Sequence, residues 1–128
     1  MTMMKVSEWN TVPCNPATDY KARVSYTIAD VRFGMVDSKG RELGCCLIIE
    51  EREARPARTE GYTTYGEIFP GFYTGVQATR AGASFGASFP KMLRMETLEA
   101  AKASLLKRAA QSCKRAEKNA APAQEVTK

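Results

Sequence analysis

Phe72-Tyr73-Thr74-Gly75-Val76-Gln77-Ala78-Thr79 alternates in character; a Gly82 turn, a second alternation through Phe85, Ala87 and Phe89, and a stop at Pro90 follow. From Thr97 the period changes. Leu98, Ala101, Leu105, Ala109 and Cys113 recur every three or four positions, with Leu106, Ala110 and Ala116 beside them. Alternation puts side chains on opposite faces of a strand, and the longer period puts them on one face of a helix. The stretch predicts strand, tight turn, strand and one long helix ending in the late 110s. Its stripe is mostly small residues, which lets a helix lie close on a sheet. Thr97 reads as the N-cap, and Glu99 in the first turn suits the positive end of the helix dipole.

Working upstream, the pattern predicts more antiparallel sheet for this helix to cover. Tyr20, Ala22, Val24, Tyr26 and Ile28 share one parity, and Val31, Phe33 and Met35 share the other. The change at Ala29-Asp30 predicts a β-bulge or short turn there. Asp37-Ser38-Lys39-Gly40 is a turn signal, with Gly40 able to take positive φ. Glu42–Glu51 carries Leu43, Cys45, Leu47 and Ile49 on one face and Cys46 and Ile48 on the other, the pattern of a central strand covered on both sides. Residues 1–19, broken by Pro13 and Pro16, read as an irregular lead-in packing through Trp9 and Val12. Residues 52–71 read as a long loop, with room for a short extra strand around Tyr62–Ile68. The fold expected is α+β: a mainly antiparallel sheet of four to five strands with one long C-terminal helix packed across it. Residues 1–119 are expected to form a single domain, with 120–128 a disordered tail.

Composition narrows the function classes. The 128 residues are 44% hydrophobic and 26% charged, with a net charge of +5. Residues 1–92 carry +1 and residues 93–128 carry +4, so the positive charge sits on the helix. No apolar run reaches the roughly 18–20 residues that span a bilayer. The polar N-terminus shows no signal-peptide pattern, and no membrane role and a cytoplasmic location are expected. The four cysteines, Cys14, Cys45, Cys46 and Cys113, show no Cys-x-x-Cys spacing, and there is no histidine. Neither a metal site nor a cofactor is expected; reduced, buried thiols are.

Gly82-Ala83-Ser84-Phe85-Gly86 matches the G-x-S-x-G nucleophile elbow by letter, but the motif needs a strand-to-helix turn and a histidine base. Here it falls in a hairpin of a chain without histidine. Asp30 and Cys113 have no evident activating partner, and no phosphate loop or dinucleotide fingerprint is present. A non-enzymatic protein is expected.

The remaining signal is electrostatic. Lys21, Arg23 and Arg32, with Ser25, Thr27, Tyr73, Gln77, Thr79, Ser84 and Ser88, are expected on one polar sheet face. The 52–71 loop adds Arg55, Arg58, Tyr62 and Tyr65, and the helix adds Lys107, Lys114 and Lys118, with Arg108 and Arg115 at the margin. Cations that take phosphates beside aromatics that stack bases are a means of holding nucleic acid. The element order is similar in outline to the strands-plus-helix units of AP2-type and integrase arm-binding domains, and to Whirly and PUR-type single-strand binders. That likeness is one of architecture and assigns no residue a role. A small nucleic-acid-binding protein is therefore the first expectation. The other is a protein-interaction or inhibitor module, of the kind phages and mobile elements use as accessories, with a protein partner or a homodimer contact through the apolar residues Cys46 and Ile48.

Overall fold

The computed structural model describes residues 4–80 and 92–119, with the backbone alone at 78–80 and 119. In chain order it has β1 (Lys5–Val6), β2 (Asn10–Pro13), β3 (Arg23–Val36), β4 (Glu42–Arg52), β5 (Arg58–Glu60), β6 (Thr63–Tyr65), β7 (Gly71–Arg80), β8 (Leu93–Met95) and α1 (Leu98–Asn119). The main sheet is antiparallel and six-stranded, in the order β1-β3-β4-β7-β8, with β2 on the same edge of β3 as part of the sheet. β5 and β6 form a separate two-stranded finger. The architecture is α+β with the long C-terminal helix against the sheet, as expected. The expected turn at Gly82, the strand through Phe85–Phe89, Ser84, Ser88, the G-x-S-x-G match and the 120–128 tail lie outside the described residues.

The core follows from the two periods. Val31, Phe33 and Met35 of β3 and Cys45, Leu47 and Ile49 of β4 meet Ala101, Leu105, Ala109 and Cys113 of α1. Leu105 is fully buried, and burying such a side chain contributes about 1.5–3 kcal/mol. Ala101 and Ala109 are also fully buried, so the small-residue stripe is the packing face. Thr97 Oγ1 accepts from the Ala100 amide at 3.0 Å, which caps the helix. At the other end of the sheet, Asp37 accepts from the amides of Lys39 and Arg41, and Gly40 sits at φ +79°.

Three expectations change. The lead-in 1–19 is not irregular throughout: β1 and β2 pair with β3 through Lys5↔Arg32 and Val12↔Tyr26. There is no bulge at Ala29-Asp30, because β3 pairs with β4 without interruption from Ser25↔Glu51 to Arg32↔Gly44. The register shifts fall instead between Arg23 and Ser25 and between Arg32 and Val36. Apolar parity changes because the strand is buried on its odd face along 27–35 and partly buried on its even face at Val24, Tyr26 and Ile28. Finally, the 52–71 loop holds β6 within the Tyr62–Ile68 stretch where a short strand had room, but β6 pairs with a strand not expected, β5, in a finger closed below by an Arg55↔Ile68 bridge.

Candidate nucleic-acid interface

Strand register divides the sheet-borne candidates. Arg23 and Arg52 are cross-strand partners, as are Glu50 and Tyr73, and all four lie on the face away from α1. Arg32 is on that face too, opposite Lys5. Ser25 and Thr27 are on the helix-side face, where Thr27 is 4% exposed and shares a 2.9 Å hydrogen bond with Thr11. The polar face expected from sequence therefore loses two members, because the shift after Arg23 changes parity within β3. The helix lysines are on the opposite side of the sheet from Arg23, Arg32 and Tyr73, so these residues do not form one surface.

Carboxylates occupy most of the arginines. Glu50 is buried and takes Arg52 through Nη2 at 2.5 Å and Nε at 3.0 Å, and Arg23 Nη1 at 3.3 Å. Arg23 Nε also donates to Asp19 at 2.7 Å. Burial works against the charge on Arg23, but Asp19 and Glu50 outweigh it and raise its pKa above the ordinary value. Arg52 stacks on Tyr73 at 4.0 Å, so that ring is already occupied, and the Tyr73 hydroxyl donates to the Phe69 carbonyl at 2.7 Å. Arg55 donates to the carbonyls of Asp19 and Pro16 and holds the 16–21 turn against the loop. Arg58 lies 3.2 Å from Glu60 and over the Tyr65 ring at 4.8 Å. Arg32 is well exposed, 3.4 Å from Glu42. Lys21 lies in the 16–21 turn rather than on a strand, its amine 5.6 Å from the Tyr20 ring.

Three functional-looking residues escaped the sequence reading. Glu50 stood out only as a strand residue, Arg52 fell at the start of the expected 52–71 loop, and Arg94 sat in a segment with no assigned strand. Arg94 crosses Gly71, donating to the Pro70 carbonyl and to Glu96, each at 2.7 Å. A Cβ on Gly71 would lie 2.6 Å from Arg94 Nε, so the glycine makes room for it. A cavity of about 410 Å³ opens here, lined by Glu51, Arg52, Glu53, Gly71, Phe72 and Arg94 among others; Arg94 pairs with Glu96 inside it, while Arg52 and Glu53 pair with Glu50 and Arg55 outside its lining.

The helix is different. Lys107, Lys114 and Lys118 are exposed, and among the described residues no acid lies within ion-pair distance of any of them. Arg108, placed at the margin by its spacing, turns inward: its Nη2 donates to Thr74 Oγ1 at 2.5 Å, and Thr74 donates to the Leu93 carbonyl at 2.8 Å. Burial pushes the Arg108 pKa down from the ordinary value.

None of the four cysteines is in a disulfide, and Cys46 donates to Asp30 at 3.4 Å. Burial, with Cys46 and Cys113 nearby, pushes the Cys45 pKa up to about 12, and burial raises that of Cys113. Both thiols stay protonated at neutral pH. Among the described residues no group of acids and cysteines is arranged to hold a metal, and no helix is long and apolar enough to cross a membrane. Compared with models of known families, with curated proteins and with solved structures, the chain matches none.

Proposed function

We propose that this chain is a non-enzymatic nucleic-acid-binding protein whose phosphate contacts come chiefly from the outer face of α1. The observation that carries this reading is the stripe of Lys107, Lys114 and Lys118, exposed and, among the described residues, without an acid in ion-pair distance, while arginines elsewhere are neutralised by Glu50, Asp19 and Glu60. A paired arginine adds little field, whereas an unpaired lysine attracts phosphate and releases its counterions. Lys114 and Lys118 are also four apart on one helix face, a spacing at which like charges repel by about 0.2–0.5 kcal/mol; a bound polyanion relieves that repulsion. The apolar residues that favour a protein partner, Cys46 and Ile48, are buried within the chain at 6% and 7% exposure.

Fluorescence anisotropy with labelled single- and double-stranded oligonucleotides at about 50 and 200 mM salt tests the reading. Affinity is expected to fall steeply with salt. Replacing the three lysines by glutamine should weaken binding and reduce the logarithmic salt slope by about 2–3, at 0.7–0.9 per lost contact. Absence of binding at low salt, or an unchanged slope in the variant, refutes it.

A further inference from the structure

Three aromatic rings stand in solvent: Tyr20 and Phe69 on segments that Arg55 ties together, and Tyr62 on the finger that the Arg55↔Ile68 bridge closes. Tyr62 is fully exposed, and Tyr20 and Phe69 are each 57% exposed. Tyr62 tips the β5–β6 finger. Glu60↔Thr63 pairing leaves Gly61 and Tyr62 as a two-residue turn; Gly61 is at φ +60° while Tyr62 has no positive φ. That is the type II′ pattern, which matches the twist of the flanking strands. The Arg58–Tyr65 stack stiffens the finger behind the tip.

Arg55 joins the other two segments. Its guanidinium binds the carbonyl of Asp19, the neighbour of Tyr20, and its backbone exchanges hydrogen bonds with Ile68, the neighbour of Phe69. The Tyr73 hydroxyl fixes the Phe69 carbonyl as well. The Lys21 amine lies over Tyr20. Ala22, buried at φ +54°, ends this turn in a strained conformation that hydrogen bonds to Asp19 and Glu53 hold in place.

None of these rings belongs to the core cluster, and each is more than half exposed. The acids nearby are matched: Asp19 by Arg23, Glu53 by Arg55 at 4.0 Å and Glu60 by Arg58, leaving Lys21 and Glu67. Flat, exposed, near-neutral rings with a cation beside one of them suit the faces of unpaired bases, with the cation taking an adjoining phosphate. A duplex keeps its base faces stacked inside and offers none.

We infer that these rings stack unpaired bases, so that the partner is single-stranded nucleic acid. The inference rests on the nucleic-acid reading above. The test uses the full chain, a labelled single strand and the duplex of the same sequence, with Tyr62→Ala and Phe69→Ala. Both rings are exposed, so the variants should keep the wild-type urea midpoint. Single-strand affinity is expected to fall roughly 5- to 140-fold per lost stacking contact, with duplex affinity and salt slope unchanged. Unchanged single-strand affinity in both variants, while the lysine variant loses binding, overturns this inference and leaves the nucleic-acid reading standing. Wild-type protein that binds neither form overturns both. Self-association abolished by Tyr62→Ala, with oligonucleotide affinity unaltered, overturns it in favour of a protein partner.

Discussion

Glu50→Gln removes the counter-charge of two arginines at once. Its side chain is 7% exposed, while those of Arg52 and Arg23 are 15% and 30% exposed. Arg23 and Arg52 face each other across β3 and β4, so the variant leaves two like charges side by side. Breaking a buried ion pair by removing one partner costs about 3–5 kcal/mol. Here Arg23 keeps Asp19 at 2.7 Å and remains partly hydrated, so a discounted loss of about 2–3 kcal/mol is expected. For a chain of this size that corresponds to a fall in Tm of roughly 6–15 °C. Urea unfolding followed by Trp9 fluorescence reads it as a lower midpoint at constant slope. Adding Arg52→Met should recover about 1 kcal/mol or more, since the stranded charge goes with it. A loss below about 1 kcal/mol, the range of exposed pairs, refutes the view that Glu50 anchors this face.

Asp19 gives a pH signature. Burial opposes its ionisation, but Arg23 and the Lys21 amide outweigh burial and hold its carboxyl below the ordinary aspartate value. A lowered folded pKa stabilises the protein above the unfolded value near 4 (about 3.9 for aspartate), and the stabilisation is lost as pH falls through the folded value. The gap in urea midpoint between wild type and Asp19→Asn should therefore be widest above about pH 4 and close below it; a gap independent of pH counts against the ion pair. Two glycines separate space from conformation. A Cβ on Gly44 would run into the Val31 carbonyl where the uninterrupted β3–β4 ladder ends at Arg32↔Gly44, whereas one on Gly66 meets nothing within 4 Å. Gly44→Ala should cost about 1–3 kcal/mol, and Gly66→Ala, at a position without positive φ, should be neutral or stabilising by up to about 1 kcal/mol. Equal midpoints for the two variants would contradict the register.

By itself the sequence determined the helix, its cap at Thr97, its buried stripe and the two-sided burial of β4, because these depend on the local period of apolar residues and on capping chemistry within a few positions. It also located the excess positive charge on α1. Alternation marks which positions are apolar, however, without saying which face a neighbour covers; hence the parity change in β3 read as a bulge. Alternation within β4 puts Glu50 and Arg52 on one face, but the pairing of Glu50 with Arg23 joins residues 27 apart, and only β3–β4 register brings those two together. That same register decided that Arg23 meets Glu50, whereas Lys107, Lys114 and Lys118 lie on α1 with no acid within ion-pair distance among the described residues. Charge neutralisation acts over a few ångströms in space, and spacing along the chain does not report that distance.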